Sequence, residues 1–149
     1  MRIVLLDHEL YRLGLRLILE RSSLDCEVLG EASTLRGAFE VMSAIEPSVV
    51  VMDTALPGLG APSAIRKIRR WGAGVRVLVL TEHGRFPDVV AAMAAGASGY
   101  ALKGDSNEEI LAAIRRIAAG SLYLAPALDL RPEHADRPAR IRHEQVVDI

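Results

Sequence analysis

The chain has one cysteine, Cys26, in 149 residues, so no disulfide can form within it, and a lone thiol fits a reducing compartment. It also lacks an excess of either charge: 18 Lys and Arg stand against 19 Asp and Glu, a formal net charge of -1. That balance gives no global reason to expect nucleic-acid binding, and no block of like charges suggests a membrane-surface patch. No apolar run is long enough to span a bilayer, and the opening run Ile3 to Leu6 is too short for a signal peptide. Paired His or Cys spacing of the kind that holds zinc is missing, so His8 and His83 read as surface loop residues. There is no internal repeat and no two-residue hairpin signal. These absences predict a cytoplasmic chain of one domain, in which half the residues are hydrophobic and supply a real core.

What is present is an alternation of strand and helix signals around Val49-Val50-Val51-Met52-Asp53. Four apolar residues, three of them β-branched, suit a strand buried on both faces at the centre of a parallel sheet. Before it come a strand over Ile3 to Leu6, and a helix whose Leu10, Leu13, Gly14, Leu17 and Ile18 recur at helical spacing. A second strand over Cys26 to Gly30 and a helix over Thr34 to Ile45 follow, stopped by Pro47. After it, a helix from Pro62 to Trp71, a strand over Val75 to Leu80, and an Ala-rich helix from Pro87 to Ala95 are readable. Ser98 to Leu102 makes the fifth strand, and Ser106 or Asn107 caps a last helix with Ile110, Leu111, Ile114 and Ile117 as its apolar stripe. Without hairpins, the strands must be joined by crossovers and run parallel, with helices on both faces.

Asp7, Asp53, Thr81 and Lys103 each follow an apolar run immediately. Strand ends converge on one rim, and in a sheet of order 2-1-3-4-5 the first and third strands are neighbours, so Asp7 and Asp53 face each other there. Two carboxylates with loop carbonyls make a hard oxygen site suited to Mg²⁺. An ammonium and a hydroxyl across the site complete an anion pocket, and such parts suit phosphoryl transfer with Asp as covalent acceptor.

Leu5-Leu6-Asp7-His8-Glu9-Leu10, Asp53-Thr54-Ala55-Leu56-Pro57-Gly58, Val79-Leu80-Thr81 and Gly99-Tyr100-Ala101-Leu102-Lys103-Gly104 occur in the order found in response regulator receiver domains. Residues 1–124 resemble that family, and the resemblance implies the α/β, flavodoxin-like (CheY-like) fold with a five-stranded parallel sheet. It implies Asp53 as phosphoacceptor, Asp7, Asp53 and the Ala55 carbonyl as Mg²⁺ ligands, and Thr81 as the switch hydroxyl. Lys103 becomes the phosphate-contacting amine and Tyr100 the aromatic whose rotamer follows the switch. The Asp-His start and Gly120-Ser121-Leu122-Tyr123-Leu124-Ala125-Pro126 resemble most the NarL/LuxR-type subfamily, which carries a helix-turn-helix output domain. A sensor histidine kinase and a second copy of the chain, through an α4-β5-α5 or α1-α5 surface, are the implied partners. No enzymatic activity is implied beyond self-phosphorylation and dephosphorylation at Asp53.

Three positions depart from the family pattern. Leu6 stands where a second acid usually holds the metal through water, which predicts weaker Mg²⁺ binding. Glu82 follows the switch hydroxyl where a small residue is usual, and a carboxylate there repels an incoming phosphoryl group unless it turns outward. Ala61 replaces a loop glycine. These changes keep a second reading open, a pseudo-receiver that docks or dimerises without phosphorylation. A flavin- or nucleotide-binding protein of this fold needs a Ser/Thr/Gly-rich loop after its first strand, where Asp7-His8-Glu9 stands. A phosphohydrolase with an Asp nucleophile needs a second Asp at the position of Ala55. Residues 125–149 are polar and proline-broken and read as a flexible linker or tail, too short for a helix-turn-helix, so DNA binding would need a further domain.

Overall fold

The computed structural model describes residues 1–58 and 60–131. Strands and helices alternate as β1 (Arg2–Leu6), α1 (Glu9–Arg21), β2 (Glu27–Ala32), α2 (Leu35–Ala44), β3 (Val49–Met52) and α3 (Ala61–Trp71). They continue as β4 (Arg76–Thr81), α4 (Phe86–Ala94), β5 (Gly99–Leu102), α5 (Asn107–Ala118) and β6 (Tyr123–Leu124). All neighbouring strands are parallel, in the order β2-β1-β3-β4-β5-β6. The expected doubly wound order is therefore present.

The strands alternate their side chains between two cores. On one face, Val4, Leu6, Val50 and Met52 pack with Ala38 and Met42 of α2, Ile65 and Ile68 of α3, and Val89 and Ala92 of α4. On the other, Ile3, Leu5, Val49 and Val51 pack with Leu15 and Leu19 of α1 and Ile110, Ile114 and Ile117 of α5. Every residue of β3 is buried, as a central strand covered on both faces requires. No helix among the described residues is long and apolar enough to cross a membrane.

Local chemistry sets the helix boundaries. The Thr34 hydroxyl accepts from the Gly37 N–H at 3.0 Å to start α2. Pro62 and Pro87 lie in the first turns of α3 and α4, where a missing N–H costs nothing. Ser106 and Glu109 form a reciprocal capping box at α5, both bonds 3.1 Å. Gly96, with φ +108°, ends α4 in the left-handed region.

Two features differ from the sequence expectation. The sheet has six strands, not five: the Tyr123 N–H donates to the Ser98 carbonyl and the Ala125 N–H to the Tyr100 carbonyl, which adds β6 beside β5. A two-residue strand is too short to show a period, so it left no pattern to read. The chain stays packed beyond it: Ala125 is buried, and Leu128 and Leu130 lie against the core. In α1, the stripe of Leu10, Leu13 and Leu17 faces outward, 83%, 59% and 46% exposed, while Leu15 and Leu19 face the sheet. The predicted tail beyond residue 131 lies outside the described residues.

Candidate functional site

The sheet ladder builds the site. Leu6 pairs with Met52 across β1 and β3, and the Asp53 N–H donates to the Leu6 carbonyl at 2.9 Å, so Asp7 and Asp53 leave adjacent strand ends side by side. Thr81 pairs with Leu102 across β4 and β5, and the Lys103 N–H donates to the Thr81 carbonyl at 2.8 Å. All four side chains reach one rim because each follows the last apolar residue of its strand or closes it.

The Lys103 ammonium lies 3.0 Å from Asp7 Oδ1 and 3.0 Å from Asp53 Oδ2, bridging two buried carboxylates. Its Nζ also stands 4.1 Å from the centre of the Tyr11 ring, a cation–π contact that holds the lysine from the α1 side. Asp7 Oδ1 accepts from the His8 backbone N–H at 2.6 Å, and Asp53 Oδ1 from the Ala55 N–H at 3.1 Å. Two carboxylate oxygens thus point at one cation position, a donor set that fits a divalent ion of Mg²⁺ type with further oxygens from water or carbonyl. Burial pushes the Asp7 carboxyl above its ordinary range, opposed by the hydrogen bonds from Lys103 and the His8 N–H and by the lysine's charge, and reinforced by the charge of Asp53. Burial also raises the Tyr11 hydroxyl, helped by the charges of Asp7, Asp105 and Asp53.

Thr81 is buried and shares a hydrogen bond of 2.9 Å with the Thr54 hydroxyl, which fixes it one residue from Asp53. Tyr100 stands apart from the acidic cluster. Its ring is buried, its hydroxyl donates to the His83 carbonyl at 3.4 Å, and it lines a cavity of about 270 Å³ with Thr54, Ala61 and Asp88. Burial and the charges of Asp88 and Asp53 push its hydroxyl up to about 12. A Cβ on Gly84 would meet Tyr100 Cε1 at 3.0 Å and Leu128 Cδ2 at 2.6 Å, so the glycine lets the loop after β4 cross this ring closely.

The three departures fall in different places. Leu6 is buried in the apolar core with Val4 and Met52. Glu82 is exposed and lines a groove of about 470 Å³ between α1 and α5, together with His8, Tyr11 and Lys103. Ala61 is the first residue of α3 and packs against the core. Sequence reasoning missed three neighbours of the site. Thr54 and Tyr11 carry no motif of their own, and their roles depend on the fold. His8, read as a surface residue, is exposed but places Nε2 3.9 Å from Asp53 Oδ2. Its position beside Asp7 was the one available signal.

Comparison with known proteins agrees with this fold. The family model for the response regulator receiver domain matches residues 3–115. The response regulator UvrY of Escherichia coli O6:H1 (strain CFT073) is 37% identical over 96% of this chain and 68% of its own length. The response regulator GacA of Pseudomonas aeruginosa is 32% identical over 96% of this chain and 70% of its own. Among solved structures, a two-component response regulator of the LuxR family from Aurantimonas sp. SI85-9A1 superposes with a TM-score of 0.78 at 37% identity. That match covers 84% of this chain and 89% of the other. The chain therefore belongs to the response regulator receiver domains, in the NarL/LuxR group of two-component transcription regulators.

Proposed function

We propose that this receiver domain accepts a phosphoryl group on Asp53 from a sensor histidine kinase and passes the change to an output surface. The observation that carries this reading is the Lys103 ammonium held 3.0 Å from both Asp7 and Asp53, which marks one cation position beside the nucleophilic carboxylate. Asp53 Oδ attacks phosphorus, a P–O bond forms as the P–N bond to the kinase histidine breaks, and the electron pair leaves with the imidazole. Lys103 follows the new negative charge on the phosphoryl oxygens. Asp7, Asp53 and the Ala55 carbonyl would hold Mg²⁺, which would supply charge neutralisation at the phosphoryl oxygens. Thr81 exchanges its Thr54 partner for a phosphoryl oxygen, and Tyr100, packed on the β4–α4 loop, moves with it.

The output surface is a face shared by two copies of the chain. Exposed Leu10, Leu13 and Leu17 on α1 favour an α1-α5 contact over α4-β5-α5, where Val90 is the exposed large apolar residue of α4. The chain after the packed Ala125, Leu128 and Leu130 then serves as a linker toward a DNA-binding domain of the kind the LuxR group carries. The phosphorylation-independent reading draws on one observation, the burial of Leu6 in the core, which removes the acid that would help hold the metal. Incubation with Mg²⁺ and acetyl phosphate separates the two. The proposal expects a gain of one phosphoryl mass in wild type and none in Asp53→Asn. No gain in wild type at saturating donor and metal leaves the docking module.

A further inference from the structure

The chain does not leave the sheet where β6 ends. The Ala125 N–H donates to the Tyr100 carbonyl at 2.9 Å, the Leu128 N–H turns back to the Ala125 carbonyl at 3.1 Å, and Ala125 is buried. Leu128 packs against both cores, and Leu130 against the one that α2, α3 and α4 cover. A Cβ on Gly84 would lie 2.6 Å from Leu128 Cδ2 and 3.0 Å from Tyr100 Cε1, so the leucine and the tyrosine ring meet at bare backbone in the loop after Thr81. The ring is only 1% exposed, and its hydroxyl donates to the His83 carbonyl of the same loop. We propose that Gly84 and Tyr100 form a docking site for the chain's own exit segment, residues 125–130, with Leu128 as its anchor, and that phosphorylation of Asp53 releases this segment. The release, though not the docking, rests on the reading of Asp53 as phosphoacceptor.

The sign follows from the state in which the segment is docked. There the Thr81 hydroxyl is bonded to Thr54 at 2.9 Å, and the Lys103 ammonium holds both carboxylates. Thr81 ends β4 and leads directly into Glu82, His83 and Gly84. A Thr81 that turns to a phosphoryl oxygen therefore pulls on the backbone that carries both the acceptor of the Tyr100 hydroxyl and the seat of Leu128. Packing contacts are sensitive to such movement: a gap of about 0.5–1 Å forfeits roughly a quarter to a half of the dispersion attraction. Linkage makes the effect reciprocal. A segment that docks on the unphosphorylated arrangement opposes phosphorylation, and loosening it favours the phosphoryl-bound state. The sequence continues beyond this segment to Ile149, which makes it a route by which a change at Asp53 leaves the domain.

The test uses the full chain with Mg²⁺ and beryllofluoride as the phosphoryl mimic. Amide exchange is read by NMR, and calorimetry gives the beryllofluoride affinity of wild type, Asp53→Asn, Leu128→Ala, Gly84→Ala and the Gly84→Ala, Leu128→Ala double variant. Gly84 is not among the glycines with positive φ, so alanine there presses on Leu128 without straining the backbone. In wild type, beryllofluoride is expected to speed exchange of the Leu128 N–H at least about 5-fold, while the Tyr123 and Ala125 N–H groups, bonded within the sheet, change less than about 2-fold. Each single variant binds beryllofluoride about 5-fold tighter than wild type, a gain that mere loss of stability does not produce. The double variant binds no tighter than Leu128→Ala, because both changes act on one contact. Single variants that bind within about 2-fold of wild type or more weakly, or an unchanged Leu128 N–H, overturn the proposal, and binding that is lost in Asp53→Asn then leaves the phosphoacceptor reading standing. No binding in wild type overturns both.

Discussion

Asp7 is held between opposed forces. Burial disfavours its carboxylate and outweighs the hydrogen bonds and charge of Lys103, so its folded-state pKa stands above the ordinary 3.8. The folded state therefore binds more protons than the unfolded state once pH rises above that value, and stability falls as pH rises through the gap. Asp7→Asn removes the cost. Urea denaturation is expected to give a higher midpoint for Asp7→Asn than for wild type at pH 7, with the difference shrinking as pH falls toward 4. A lower midpoint at pH 7 would mean that the Lys103 bridge outweighs burial. Tyr100 behaves alike at the other end: with its hydroxyl raised to about 12, its contribution is intact below pH 10 and lost as pH rises from 10 through 12. Tyr100→Phe should flatten the alkaline limb of the stability profile measured by circular dichroism. At this scale the sequence was informative where a chemical group ends a strand. Asp7, Asp53, Thr81 and Lys103 could be read because an apolar run points to each, whereas Thr54 and Tyr11 gain their roles from contacts across 27 residues in one case and from α1 packing on the lysine in the other.

At the level of elements, period was legible and orientation was not always. The stripe Ile110, Ile114 and Ile117 of α5 faces the core as its spacing suggests. In α1 two leucine sets share one helix, Leu15 and Leu19 inward and Leu10, Leu13 and Leu17 outward, and hydrophobicity alone cannot rank them. Leu19→Ala should cost about 2–5 kcal/mol of unfolding free energy, and Leu13→Gln should stay within about 0.5 kcal/mol of wild type. Comparable losses at the two positions would put the wrong face of α1 on the sheet. The α5 capping box offers a smaller test: Ser106→Ala should cost about 1 kcal/mol, because it strands the Glu109 N–H at the start of the helix. Gly99 shows a constraint hidden from sequence. A Cβ there would lie 2.9 Å from Leu78 Cδ1 and 3.1 Å from Ile117 Cγ2, so a side chain on this residue of β5 would push on the packing of β4 and α5.

For the molecule as a whole, the parallel order follows from crossovers that the sequence announces, and it alone brings Asp7 and Asp53 together from 46 residues apart. β6 and the packed Leu128 could not be foreseen, since both depend on the surface that β5 and the loop after β4 present once folded. That placement puts Leu128 beside Tyr100 and against Gly84, in the loop that follows Thr81. The outward leucines of α1 give the domain an apolar face with no partner among the described residues of one copy. Sedimentation of wild type with Mg²⁺ and beryllofluoride should show dimers at concentrations where Leu13→Glu remains monomeric. Equal dimerisation of both would move the contact to another face.

The central claim is that the phosphoryl group is carried by Asp53, and reductive trapping tests it most directly. The chain is incubated with Mg²⁺ and acetyl phosphate, treated with borohydride, which reduces an aspartyl phosphate to homoserine, and mapped by peptide mass spectrometry. Homoserine at position 53, absent when Lys103→Ala or Asp7→Asn removes a neighbour of the site, is the predicted result. Homoserine at another aspartate, or none at all in protein shown to bind the metal, would contradict it.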